Sequence, residues 1–152
     1  PNALMLSTPC NVNLLSSKDF PGFDFLLYHG YSFTYFADNV ESIRQKGGVD
    51  RADLIMQFLL QRRHLSPTHT SNTYNPESKR DPLVITKVHD FFLSGHLHKT
   101  NVSSYKNISL ISVSFWQSRT SFMEKLGTHP EPARVPVIDF STREVKIMRF
   151  AK

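Results

Sequence analysis

DFFLSGHLHKT, residues 90–100, decides how the rest of the chain is read. An apolar run, Phe91 to Leu93, stops at Ser94-Gly95, and two histidines follow with a single residue between them. Residues i and i+2 of an extended segment point to the same side. The spacing therefore predicts His96 and His98 facing one site while Leu97 faces the core. Gly95 is the expected point of tight turning, and would let a ligand or ion approach the backbone. Neutral imidazole is the commonest metal ligand, and two on one side form half a coordination sphere. The alternative is a pair of side chains that cap a strand end and hydrogen-bond to water. The H-x-H dyad by itself leaves both open.

Working outward, FDFLLYHG (23–30) is a second continuous apolar run closed by a histidine and a glycine, consistent with a strand buried on both faces. His29 thus repeats the placement of His96, and ligands in α/β folds gather beyond the carboxyl ends of strands. Taken alone, His29 reads as a capped structural histidine sooner than as a ligand. After it the period changes. Phe33, Phe36, Ala37, Val40 and Ile43 recur at spacings of three and four, which predicts one helical face with Gly47 as its stop. A second helix is predicted in VDRADLIMQFLLQRR (49–63), with Asp50 as N-cap and Ile55, Phe58 and Leu59 sharing a face. HLSPTHTSNTYNPESKRDP (64–82) is a long Pro-, Ser-, Thr- and Asn-rich loop. The β pattern resumes in PLVI (82–85), HDFFLS (89–94) and KNISLISVSFWQ (106–117), and residues 133–150 read as two strands joined around Ser141-Thr142. The expectation is one mixed α/β unit over 1–152. PNALMLSTP (1–9) is already strand-like and lacks an initiator Met, so the chain is expected to enter in the middle of a fold.

Composition narrows the class. With 39% apolar and 12% aromatic residues the chain is globular rather than disordered. No apolar stretch approaches the roughly 20 residues that span a bilayer, so no membrane role is expected. The single cysteine, Cys10, cannot form an internal disulfide, which points to a reducing, cytoplasmic setting. A formal net charge of +5 mildly favours a polyanionic partner.

Four stretches carry a resemblance: FPGFDFLLYHGYSF (20–33), RRHLSPTH (62–69), DPLVITKVHDFFLSGHLHKT (81–100) and ARVPVIDF (133–140). The Gly-His-x-His after a strand resembles the calcineurin-like metallophosphoesterases. The four together, in order, resemble the C-terminal part of the small subunits of archaeal family D DNA polymerases. That resemblance implies the C-terminal half of a calcineurin-like β-sandwich flanked by helices. It implies a 3′→5′ proofreading exonuclease that hydrolyses phosphodiesters with two divalent metal ions, manganese being the expected one. His29 and His96 would bind one ion and His98 the other. Implied partners are the large catalytic subunit, DNA with a 3′ end, and the upstream half of the same subunit. The family's first three motifs, Asp-x-His, Gly-Asp followed by Asp, and Gly-Asn-His-Asp/Glu, do not occur here. The catalytic histidine and the bridging carboxylate are therefore expected upstream of residue 1. Eukaryotic relatives keep the Arg-His-Leu-x-Pro feature without the catalytic histidines and act as scaffolds, which supplies the competing reading. A different metallophosphoesterase is the third.

Among the other conspicuous residues, Lys99 beside the histidines is the leading candidate for a DNA phosphate contact. Arg62, Arg63, Lys79, Arg80, Lys87 and Lys106 form a wider basic set. His64 is expected to pin the long loop by hydrogen bonding, His89 and His129 to lie on the surface, and Phe115 and Trp116 to belong to the core rather than to a base-stacking platform.

Overall fold

The computed structural model describes residues 2–73, 77–117, 120, 121, 123 and 129–150. In chain order its elements are β1 (Cys10–Leu14), β2 (Phe23–Tyr28), α1 (Phe33–Asn39), α2 (Glu41–Arg44), α3 (Ala52–Arg62), β3 (Phe91–Ser94), β4 (Asn101–Tyr105), β5 (Ile108–Ser112), β6 (Arg134–Ile138) and β7 (Val145–Arg149). The five strands β1-β2-β3-β5-β4 form one mixed sheet in that order. Its centre, β2, β3 and β5, is parallel, while β1 and β4 are antiparallel edges.

The uninterrupted apolar character of the central strands follows from burial on both faces. Leu26, Tyr28, Phe92 and Leu110 point into a layer of helices, where they meet Phe33, Ile55, Met56 and Leu59. The alternate residues Phe25, Phe91 and Ile111 point the other way, against Ile138, Phe140 and Val145. These last belong to the β6–β7 hairpin and its turn, a separate two-stranded sheet. The rings of Phe25 and Phe91 stack at 4.7 Å, and Phe140 meets Phe91 edge-on at 6.1 Å. Phe25 and Phe91 are buried, and each such ring contributes about 1.5–3 kcal/mol over an exposed one. Arg143, in the hairpin turn, donates from Nη2 to the carbonyls of Asp90 and Asn107, which locks the small sheet onto the start of β3 and the β4–β5 turn. The architecture is helices, a five-stranded mixed sheet and a two-stranded sheet in layers.

Several local expectations are corrected. The first helix does not run unbroken from 33 to 46: Val40 takes an extended conformation (φ −97°, ψ 105°) and separates α1 from α2. Its β-branched side chain suits that region. Asp50 does not cap α3. It sits in a 3₁₀ turn, Gly48–Asp50, and Arg51 is the residue that precedes the helix. PLVI forms no strand, only a single bridge between Val84 and His64. The strand expected over 106–117 is confined to 108–112, because Lys106 and Asn107 both have positive φ and make a hairpin turn from β4. β4, NVSSY, is polar on an edge and gave no apolar signal. The strand-like reading of residues 1–9 is displaced to β1 at 10–14.

Candidate functional site

The parallel strands β2, β3 and β5 end side by side, with Tyr28 opposite Ser94 and Ser94 opposite Ser112. The three loops that follow are stitched together by main-chain bonds. Gly95 N–H donates to the His29 carbonyl at 3.1 Å, and Val113 N–H to the Ser94 carbonyl at 2.7 Å. The Ser94 hydroxyl also reaches the His29 carbonyl, at 3.3 Å. His29 and His96 are brought together by this stitching although 67 positions separate them. Their rings are 5.0 Å apart, with His96 Nδ1 3.1 Å from His29 Nε2.

The backbone reason differs from the expected one. His96 and His98 are not extended: both are left-handed, at φ 68° and 55°. Such angles are uncommon away from glycine, and histidine is among the residues that tolerate them best. Leu97 between them does pack on the helical core. The glycine that makes the site possible is Gly30, not Gly95. At φ +105° it lies so close to β3 that a Cβ would sit 2.8 Å from Ser94 Oγ and 3.2 Å from His96 Cβ.

His29 is exposed, while His96 and His98 are half-buried. Burial pushes the His96 ring below the ordinary imidazole range, and neighbouring His29 and His98 push it the same way. Burial and His29 lower His98 likewise. Both rings are thereby held neutral near pH 7, the state in which a nitrogen lone pair can bind a cation. Two imidazole nitrogens on one ion at about 2.0–2.1 Å stand about 3 Å apart when adjacent in its coordination sphere, so the 3.1 Å pair fits two neighbouring ligands. The His98 ring lies against Phe115 at 4.1 Å between centroids. Among the described residues no three His, Cys, Asp or Glu side chains form a cluster able to hold a metal ion. The pair could supply two donors to one ion, and any further donors would have to come from elsewhere.

Other candidates fall differently. Lys99 forms an ion pair with Asp50 and is only 24% exposed, so its charge is already engaged. Of the wider basic set, Lys87 pairs with Asp24 at 2.6 Å, while Arg62 and Lys106 lie over the rings of Phe58 and Tyr105. His64 does pin the loop, accepting from Ser66 N–H at 2.9 Å and facing Asp81 Oδ2 at 3.0 Å. His129 is exposed as expected. His89 is not a surface residue: it is 3% exposed, between the edge of β1 and the start of β3, with its Nε2 against Asn11 Oδ1. Trp116 is not core either, being 67% exposed. Tyr31, which sequence reasoning passed over, is 51% exposed and stands 4.4 Å from the His29 ring and 5.7 Å from that of His96. Its signal was its place, two residues beyond a strand-ending histidine.

No family model matches the chain. It is similar to the DNA polymerase II small subunits of Thermoplasma acidophilum, 32% identical over 99% of this chain and 29% of the relative. The small subunit of Halobacterium salinarum is 30% identical over 99% of this chain and 28% of its own length. For that of Pyrococcus abyssi the figures are 32%, 99% and 23%. The chain thus spans less than a third of the curated relatives it matches. Along almost its whole length, the chain is thus homologous to one part of the archaeal DNA polymerase II small subunits.

Proposed function

We propose that these residues form part of the exonuclease centre of an archaeal DNA polymerase small subunit, with a calcineurin-like phosphoesterase fold. The observation that carries this reading is the meeting of His29 and His96, 3.1 Å between ring nitrogens, beyond the ends of two adjacent parallel strands. The relatives' names supply the polymerase context. His29 and His96 would hold one divalent ion, manganese being the first choice, and His98 would face the second. Divalent ions so held acidify a water and offset the charge that builds on a phosphodiester. The chain's own contribution is placement. The close approach of Gly30 to Ser94 leaves room for the two histidines to meet, and burial favours the neutral rings of His96 and His98. The substrate is DNA with a 3′ end, and the protein partner is the polymerase large subunit.

The test is His96→Ala in the full-length subunit. Loss of an outer-shell partner typically costs 10–100-fold, so loss of a direct ligand should lower manganese-dependent 3′→5′ hydrolysis by more than about 100-fold. Co-purification with the large subunit should be unchanged. Near-normal hydrolysis by the variant would remove the metal assignment. A wild-type subunit that assembles but hydrolyses nothing would favour the scaffold reading.

A further inference from the structure

Across the carboxyl ends of β2, β3 and β5 the aromatic and imidazole rings form a row. Tyr31 and His29 follow β2, His96 and His98 follow β3, and Phe115 and Trp116 follow β5. Ring centroids stand 4.4 Å apart for Tyr31–His29, 5.0 Å for His29–His96 and 4.1 Å for His98–Phe115, and Trp116 lies 5.5 Å from Phe150. The β5 end of the row is tied to the β3 loop by the Ser114 hydroxyl, which donates to the His98 carbonyl at 3.1 Å. Both terminal rings are open to solvent, Tyr31 at 51% and Trp116 at 67%. A large ring that is so exposed gains little from the fold, and Trp116 is the chain's single tryptophan.

We infer that this row is a track for single-stranded nucleic acid, with Tyr31 and Trp116 as base-stacking faces on either side of the candidate metal centre. The inference rests on the exonuclease reading and deepens it. Two features favour nucleic acid over a protein partner. Tyr31 and Phe115 border the histidines, where a phosphodiester would be held. Aromatic faces accept any base, which suits an enzyme that must remove whichever nucleotide is terminal. The strand spacing of about 4.8 Å places β2 and β5 roughly 10 Å apart, so the track has room for more than one nucleotide.

The experiment uses the full-length subunit in EDTA with a fluorescein-labelled, phosphorothioate-linked oligo(dT), so that binding is read without hydrolysis. Trp116→Ala and Tyr31→Ala should each weaken binding by roughly 5- to 150-fold, the range for loss of one stacked base. Trp116→Phe and Tyr31→Phe should stay within about 3-fold of wild type, because a phenyl face still stacks. Unchanged affinity in both alanine variants would overturn the inference. So would phenylalanine variants as weak as alanine ones with unaltered circular dichroism, or loss of large-subunit assembly with oligo(dT) affinity intact. Failure of the exonuclease reading looks different: wild type would bind the oligonucleotide in EDTA, yet release no nucleotide from an unmodified strand when manganese is added.

Discussion

His89 shows how one residue can carry a pH dependence for the fold. It is buried, with Nε2 against Asn11 Oδ1, and its Nδ1 has no hydrogen-bond partner among the described residues. Burial depresses its pKa, reinforced by Lys87 and Arg63 and opposed by Asp24 and Asp90. The sign follows directly. The folded state prefers the neutral ring, so the unfolded chain binds more protons once the pH falls below the unfolded value of about 6.5. Stability is full above that value and is lost progressively as the pH drops towards the depressed folded pKa. His96 and His98, lowered also by burial, act in the same direction. We expect the thermal midpoint to fall between pH 7.5 and 5.5, and His89→Gln to flatten part of that slope, since an amide can still meet Asn11 but does not titrate. An identical slope in the variant would remove His89 from the account.

At the scale of elements, the 64–83 loop is held at its two ends and again at Asn72, whose amide donates to the Tyr28 hydroxyl at 3.3 Å. Leu65 N–H donates to the Leu83 carbonyl and Ile85 N–H to the Arg63 carbonyl, on either side of the His64–Val84 bridge. The ring of His64 joins the ends by bonding Ser66 and facing Asp81. Leu65, Leu83 and Ile85 are then buried in the helical layer. Ser32 ties the loop to β2, donating to the Leu65 carbonyl while bonding the Tyr28 hydroxyl. His64→Ala removes an acceptor from Ser66 N–H and a partner from Asp81 Oδ2, while Asp81 Oδ1 still accepts from Leu83 N–H. The expected cost is about 1–3 kcal/mol in denaturant unfolding, with faster proteolysis confined to residues 66–82. Cleavage elsewhere, or no change in midpoint, would show that backbone pairing alone secures the loop.

At the scale of the molecule, the residues brought to the candidate centre are imidazoles, and no three His, Cys, Asp or Glu side chains cluster to hold a metal ion among the described residues. Two dications held near each other without a bridging anion repel strongly. On the proposed two-ion reading, the 152-residue chain alone is expected to release no nucleotide from single-stranded DNA in manganese, because the bridging carboxylates would have to come from other polypeptide. Apolar side chains also stand open at Leu4 (88%), Met5 (95%) and Phe150 (59%). Hydrolysis by residues 1–152 alone would refute the need for further ligands.

What the sequence determined by itself was the part of the fold with a strong one-dimensional signal. β2 and β3 were legible as unbroken apolar runs, α3 as a 3.6-period face, and the β6–β7 hairpin as two runs around Ser141-Thr142. The repeated pattern of strand, histidine and glycine was enough to nominate His29 and His96. Only the tertiary structure decided how the site is built. It set β2 and β3 in parallel register, placed the two rings 3.1 Å apart, turned His96 and His98 into left-handed conformations, and gave Gly30 rather than Gly95 the close approach. It also buried His89 and exposed Trp116. Periodicity reports whether a residue faces inward within its own element. It carries no information about which element lies opposite, and that is what sets the burial of a loop residue or the meeting of two histidines 67 positions apart.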